Sequence, residues 1–85
     1  MNVKRSDQAM GRAVGDEFVI LDVATGEYFG LNVVGGLIWA CLEVDTTIDD
    51  LIDTVTEAYD VERSVAEADV RSLIDDLIEA GLVIE

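Results

Sequence analysis

Residues 25–39 have the sequence TGEYFGLNVVGGLIW and contain the clearest structural signals of the chain. The stretch begins with Thr25-Gly26, a pair typical of a tight turn, and continues with residues 27–31, whose aromatic side chains favour an extended strand. Asn32 follows as a helix N-cap, and apolar residues recur at helical spacing over residues 33–43. A strand that leads directly into a helix is therefore predicted at the centre of the fold.

Two further strands are predicted before this stretch. Ala9–Val14 is a weak strand candidate, and Gly15-Asp16 is a turn signal before Glu17–Asp22, whose β-branched and aromatic residues are typical of a buried strand. Because short turns join consecutive strands, the three segments are expected to form an antiparallel meander. Residues 1–8 show no periodicity and are predicted to be a loose arm.

Two amphipathic helices are predicted after residue 43. Thr46 or Thr47 offers an N-cap for the first, and the pair Ser64 and Glu67 forms a capping-box pattern at the start of the second. Gly81 stands where the last helix is expected to end, and the apolar residues 82–84 after it are able to add a short strand. The sequence thus predicts an α+β fold of winged helix-turn-helix type, in which a three-stranded antiparallel sheet is followed by three helices, within one domain over residues 9–85.

The composition argues against catalysis and against a bound metal or cofactor. The chain has no histidine and a single cysteine, Cys41, so it lacks the usual zinc ligands, an internal disulfide and any Ser-His or Cys-His nucleophile pair. Acid pairs such as Asp75-Asp76 are adjacent on a predicted helix, where side chains diverge by about 100°. We therefore expect a protein that is not an enzyme and that uses no cofactor.

No segment of the sequence resembles a membrane anchor. No apolar run in the sequence approaches the roughly 20 residues that a membrane span needs. The first residues also lack the apolar core of a secretion signal. We expect a cytoplasmic protein without a membrane partner.

The formal net charge of −14 is concentrated in the second half of the chain, where residues 43–85 hold fourteen acidic side chains against Arg63 and Arg71. Such a field repels phosphate, because Lys and Arg supply most of the affinity for nucleic acid. A nucleic-acid partner is not expected, and a winged-helix DNA-binding regulator is disfavoured. The acids are either solvated helix faces or a field that attracts a basic partner segment.

The predicted third strand is the feature that suggests binding. It is an edge strand of the meander, and residues 27–31 contain neither the Lys nor the Pro that commonly protects an edge from further pairing. If the third helix runs beside it, strand and helix form a groove in which an extended peptide adds as another strand. The alternative is that a helix or the C-terminal tail covers this edge.

The order of these motifs resembles that of the PqqD family. The shared pattern comprises Leu21-Asp22 at a strand end, the turn Thr25-Gly26, an aromatic strand, Leu31-Asn32-Val33-Val34-Gly35, and a helix that contains Ile38-Trp39. It extends over residues 9–84, through Tyr59-Asp60-Val61 and the segment LIEAGLV of residues 77–83. One departure is Gly36, where an alanine is more usual.

The resemblance implies a domain that binds the leader segment of a ribosomally made precursor peptide while separate enzymes modify that precursor. In the family, the leader adds as a strand beside the third strand and rests against the third helix. Carried over by position, the expected strand contacts are Glu27, Tyr28, Phe29, Gly30 and Leu31, and the expected helix contacts are Asp69, Val70, Leu73, Asp76 and Leu77.

The resemblance leaves the pathway open. A free-standing copy of this length is similar to the leader-binding partners of split lasso-peptide systems, which work with a leader peptidase and an ATP-dependent macrolactam synthetase, or cyclase. PqqD-type chaperones, which present a peptide to a radical-SAM enzyme, are the alternative context. A structural subunit that dimerises through its edge strand is an alternative of a different class.

Overall fold

The computed structural model describes residues 2–85 and contains an antiparallel meander and three helices. The strands are β1 (Asn2–Arg5), β2 (Ala9–Val14), β3 (Glu17–Asp22), β4 (Tyr28–Leu31), β5 (Thr46–Thr47) and β6 (Val83–Ile84). The helices are α1 (Val33–Cys41), α2 (Ile48–Ala58) and α3 (Arg63–Glu79). The α+β prediction is confirmed, and the predicted third strand and third helix are β4 and α3.

Strand β3 is the centre of the meander, with β2 and β4 antiparallel on either side. Gly15, with a φ of 62°, opens the two-residue turn between β2 and β3, where a left-handed residue matches the twist of a hairpin. Side chains alternate between the two faces of the sheet. The inner face packs on the helices and carries Phe18, Ile20, Phe29 and Leu31, whereas the outer face carries Met10, Arg12, Val14, Val19, Leu21 and Tyr28.

The first two helices begin at the predicted caps. The Asn32 Oδ1 atom accepts a hydrogen bond from the Gly35 N–H at 2.8 Å at the start of α1. At the start of α2, the Thr47 Oγ1 atom accepts one from the Asp50 N–H at 3.1 Å. Each cap satisfies a backbone donor that the helix itself leaves unpaired.

Helix α3 begins earlier than the capping-box pattern predicts. Its N-cap is Glu62, without a side-chain cap hydrogen bond, so the predicted role of Ser64 is wrong. Arg63 already lies in the helix, and its Nη1 atom donates to Asp53 of α2 at 2.6 Å, which links the first turn of α3 to α2.

The end of α3 follows the prediction for Gly81, whose φ is 79°. The Gly81 N–H donates to the Ile78 carbonyl at 3.0 Å, and the Leu82 N–H donates to the Leu77 carbonyl at 2.9 Å. These two bonds define a Schellman motif. The motif reverses the chain so that Leu82 and Val83, both buried, return to the core.

The prediction of a loose N-terminal arm is wrong for residues 2–5. They form β1, the centre of a second small sheet, in which Val3 pairs with Thr46 of β5 and Arg5 with Val83 of β6. Val3 is fully buried. The segment has one buried apolar residue, which is too few for a recognisable period, and its partners are distant in sequence, so pattern alone did not reveal it.

Trp39 is the largest fully buried side chain. It belongs to a single hydrophobic core to which both sheets contribute residues. The Arg5 guanidinium lies 4.7 Å from the centroid of its ring and also donates to its carbonyl at 2.8 and 3.1 Å. On the other side, the indole lies against Gly11 of β2, where a Cβ atom would overlap with the Trp39 Nε1 atom and lie 2.6 Å from the Phe18 ring. Gly11 is therefore the site of a close approach between strand and core.

Within residues 2–85, no helix is both long enough and apolar enough to cross a membrane.

Candidate functional site

The outer edge of β4 is open. Within residues 2–85, β3 is the only strand that pairs with β4. The Asp22 N–H donates to the Glu27 carbonyl at 2.8 Å, and bonded pairs alternate with non-bonded pairs in an antiparallel ladder. Tyr28 and Gly30 therefore direct their backbone N–H and C=O groups away from β3, where a further strand can bond to them.

Helix α3 runs beside this open edge, and the two elements enclose a groove. It consists of two adjoining depressions with volumes of about 380 and 430 Å³. Gly30, Leu31, Leu73 and Asp76 line both, so the depressions are continuous, and we call them together the β4–α3 groove. The first, the α1-side depression, extends to the start of α1, and the second, the C-terminal depression, extends to the end of α3.

The floor of the groove is apolar. Leu31 is 8% exposed and Leu77 is 1% exposed, whereas Leu73 is half-buried at the junction of the two depressions. Val34 and Ile38, one turn apart on α1, add apolar surface to the α1-side depression. Such surface gains about 1.5–3 kcal/mol for each apolar side chain of a ligand that it fully covers.

The rim of the groove is acidic. Asp69 and Asp76 border the α1-side depression, and Glu27, Asp76 and Glu79 border the C-terminal one. No Lys or Arg lines either depression. The field over the groove therefore favours a ligand that carries positive charge.

Eight of the ten residues that the sequence predicted as peptide contacts line the groove. They are Glu27, Phe29, Gly30, Leu31, Asp69, Leu73, Asp76 and Leu77. On α3, Asp69, Leu73 and Asp76 share one side because they are spaced by three or four residues.

The other two predicted residues lie outside the groove. Val70 is fully buried and shares the core-facing side of α3 with Ala66 and Ile74. Its side chain therefore packs in the core and does not line the groove, contrary to the prediction. Val70 is one residue from Asp69, which corresponds to a rotation of about 100° around the helix. The Tyr28 side chain is 73% exposed on the outer face of the sheet, although its backbone lies at the open edge.

Sequence reasoning missed several residues that line the groove. Ser72 lies on the same side of α3 as Asp69 and Asp76, so helical spacing alone was enough to find it. The groove residues at the start of α1 depend on how that helix packs, and no local pattern in the sequence indicates this packing. The remaining missed residues are Asn32, Val34, Gly35 and Ile38 in the α1-side depression and Glu79 and Ala80 in the C-terminal one.

Gly35 illustrates how tightly α1 and β4 meet at this site. A Cβ atom at Gly35 would lie 3.1 Å from the Leu31 Cβ atom and 3.4 Å from the Asn32 Oδ1 atom. The glycine thus allows α1 to begin directly beside the end of β4. This contact fixes the position of the α1 wall of the groove.

The fold and this groove define the chain as a PqqD-like α+β domain. Residues 17–83 match the family described as Coenzyme PQQ synthesis protein D (PqqD), which is most of the chain. The protein therefore belongs to the PqqD family. No curated protein matches it at a significant level.

Two solved structures share the fold over almost their full length. One is described as TbiB1 in complex with the TbiA(beta) leader peptide; it is 35% identical, with a TM-score of 0.84, and the match covers 94% of this chain and 93% of that one. The other is described as lasso peptide synthetase B1 complexed with the leader peptide; it is 29% identical, with a TM-score of 0.84 and 98% of each chain covered. Both similar proteins were thus captured with a leader peptide bound.

Proposed function

We propose that this protein binds the leader segment of a ribosomally made precursor peptide in the β4–α3 groove and holds it for separate enzymes. The observation that carries the proposal is an open β4 edge beside a groove with an apolar floor and an acidic rim. The similarity to two structures that contain a leader peptide supports the choice of ligand.

In the proposed complex, the leader adds as a strand beside β4. Its backbone bonds to Tyr28 and Gly30, and alternate side chains enter the groove toward Leu31 and Leu73. The strand contacts proposed for Glu27–Leu31 are thus mainly backbone contacts, whereas α3 supplies side-chain contacts.

Affinity in this arrangement has to come mainly from side chains. A few new backbone hydrogen bonds contribute roughly 0.5–1.5 kcal/mol each, which the ordering of a flexible leader largely offsets. Two or three apolar side chains that enter the groove add about 1.5–3 kcal/mol each. We expect a Kd near micromolar or somewhat lower, which corresponds to roughly 8 kcal/mol.

We further propose that the protein serves lasso-peptide maturation in the cytoplasm and delivers the precursor to a leader peptidase and an ATP-dependent macrolactam synthetase. The two similar structures, of which one is described as a lasso peptide synthetase B1, support this pathway. The family description supports the second candidate, a chaperone that presents a peptide to a radical-SAM enzyme. The genes beside this one distinguish the two, since a transglutaminase-like peptidase with an asparagine-synthetase-like cyclase indicates the lasso pathway.

Amide hydrogen exchange tests the binding mode residue by residue. Without peptide, the N–H groups of Tyr28 and Gly30 are expected to exchange fast and those of Phe29 and Leu31 slowly, because only the latter bond to β3. A synthetic leader peptide that binds in calorimetry is expected to slow the first pair selectively. Equal exchange at Tyr28 and Gly30 with and without a leader that binds in calorimetry would place the leader elsewhere.

We propose that the protein itself performs no chemistry and acts by raising the local concentration of the precursor near its enzymes. Incubation of the purified protein with the full precursor is expected to leave the precursor mass unchanged, while addition of the peptidase yields cleaved product. Cleavage of the precursor by preparations of the protein alone, retained after two independent purifications, would contradict this.

A further inference from the structure

Arg5 of β1 binds the C-terminal end of α1. Its Nε and Nη2 atoms donate to the Trp39 carbonyl at 3.1 and 2.8 Å, and its guanidinium lies 4.7 Å from the centroid of the Trp39 ring. The Arg5 N–H donates to the Leu42 carbonyl at 3.0 Å. The last turn of α1 contains no basic residue of its own, so Arg5 supplies the donors and the positive charge that stabilise the carbonyl end of a helix.

The same residue is attached to the end of α3. Arg5 pairs with Val83 of β6, which follows α3 after the Schellman motif, and the Ser6 N–H donates to the Leu82 carbonyl at 2.9 Å. Leu82 and Val83 are both buried, so close packing fixes this attachment. Arg5 therefore joins the C-terminal ends of α1 and α3, the two helices that line the α1-side depression.

The position of α1 depends on contacts of this kind. The helix has nine residues, of which two adjacent ones in its first turn are glycine. A helix this short is marginal by itself, and glycine disfavours it further relative to alanine. Val34 and Ile38 form the α1 wall of the depression, and Ile38 directly precedes Trp39. A shift of Trp39 therefore changes the wall that a ligand meets.

The Arg5 guanidinium interacts with Trp39 rather than with a carboxylate. Among residues 2–85, the two ion pairs are formed by Arg63 and Arg71, although the chain has a net charge of −14. The Arg5 side chain has two N–H groups on one carbonyl and a planar group over an indole, which together fix its orientation. An ammonium group does not reproduce this arrangement, so the contact is specific to arginine.

We propose that Arg5 is a positioning residue for leader binding, which sets the width of the α1-side depression by linking the ends of α1 and α3. The inference rests on the proposed function. Arg5 lines neither depression, so it acts through α1 and not through contact with the leader. Loss of the link lets α1 move relative to α3 and weakens the packing of a leader side chain against Val34 and Ile38. Contacts in the C-terminal depression are left unchanged.

Two variants of Arg5 test the inference, each with the full chain. Arg5→Met keeps an apolar chain on the indole and removes the donors to the Trp39 carbonyl. Arg5→Lys keeps the charge and one donor group, and it is expected to recover part of the lost affinity. Lys4→Met is the matched control for charge, since Lys4 is exposed and adjacent on β1. Arg63→Met is the control for a lost structural contact, because it breaks the ion pair between α2 and α3 outside the groove.

The probe is a peptide of about ten residues, selected on the wild-type protein from a random library. It is required to slow amide exchange at Tyr28 and Gly30 and to bind Val34→Ala more weakly than wild type. Calorimetry measures its Kd for each variant, and denaturant unfolding measures stability separately. Arg5→Met is expected to raise the Kd about fivefold or more, whereas both controls stay within about twofold even where stability falls.

A double-mutant cycle distinguishes positioning from a general loosening of the protein. Val34→Ala is expected to raise the Kd less in the Arg5→Met protein than in wild type, because the contact at Val34 is already weakened. Glu79→Gln, which alters only the C-terminal depression, is expected to have the same effect in both backgrounds.

Three results would overturn the inference: wild-type affinity in folded Arg5→Met, an equal loss of affinity in either control, or full additivity of Arg5→Met with Val34→Ala. Should Arg5→Met fail to fold, Arg5→Lys replaces it in every comparison, and wild-type affinity in that variant has the same meaning. A library without any peptide that slows exchange at Tyr28 and Gly30 would instead refute the proposed function.

Discussion

The two faces of the β2–β3–β4 sheet carry similar kinds of side chain but differ in what covers them. Ile20, on the inner face, is fully buried under the helices, whereas its neighbour Leu21, on the outer face, is 38% exposed. Because the side chains of a strand alternate, adjacent residues serve the core and the surface in turn. Substitutions at neighbouring positions of this small sheet can therefore change the core or the surface separately.

Substitutions at the adjacent positions Ile20 and Leu21, which lie on opposite faces of the sheet, are expected to differ most in their effect on the free energy of unfolding. Ile20→Ala is expected to lower the free energy of unfolding by about 2–5 kcal/mol, because it leaves a cavity in the core. Leu21→Ala is expected to lower it by less than about 1 kcal/mol, because the site stays solvated. Denaturant unfolding, followed by the fluorescence of Trp39, measures both. Equal losses at the two positions would mean that the outer face is also covered in the native protein.

A second prediction concerns Gly11, where β2 approaches the core indole. Gly11→Ala is expected to lower the free energy of unfolding by about 1–3 kcal/mol, because the new Cβ atom forces Trp39 and Phe18 to move. Gly30→Ala is the matched control on the same sheet, since no atom lies within 4 Å of its added Cβ. Its effect is expected to stay within about 1 kcal/mol. Thermal unfolding by circular dichroism compares them, and an equal effect would contradict the close approach at Gly11.

The sequence was sufficient for elements that depend on local signals. The strand-to-helix junction at Asn32, the cap at Thr47 and the left-handed Gly81 follow from side chains that bond to their own neighbours. Periodicity likewise identified the faces of α2 and most of the groove side of α3. These features were predictable because the atoms that decide them lie within about one helical turn of each other.

The elements that the sequence missed depend on contacts between distant residues. Strand β1 exists because Val3 and Arg5 pair with segments more than forty and more than seventy residues away. Val70 was assigned to the groove because a helical stripe reveals which residues share a side but not which neighbour that side meets. Leu73 and Val70 both have apolar side chains on α3, and only the packing of the helix places Leu73 in the groove and Val70 in the core.

The third prediction concerns α3, the helix beside the open edge of the sheet. Leu73→Ala is expected to weaken leader binding by about tenfold or more, because Leu73 lines both depressions. Ile78→Ala, a half-buried position of α3 that does not line the groove, is the matched control and is expected to retain binding. Calorimetric titration of the leader into each folded variant gives the Kd. An equal loss in both would indicate a general loosening of α3.

The smallest expected effect tests the acidic rim. Asp69→Lys and Asp76→Lys are each expected to weaken a leader that carries Lys or Arg by about two- to fivefold, since exposed charge pairs contribute little. The same leader with its bases replaced by glutamine is expected to bind both variants and wild type alike. Asp75→Lys is the matched control, because Asp75 is exposed on α3 outside the groove and its substitution changes the net charge equally.

Titrations at about 0.05 and 0.5 M salt complete the design, because screening shortens the range of these charges to a few ångströms at the higher concentration. A loss that persists at high salt, or that Asp75→Lys reproduces, would show that the effect arises from packing or from net charge and not from the rim.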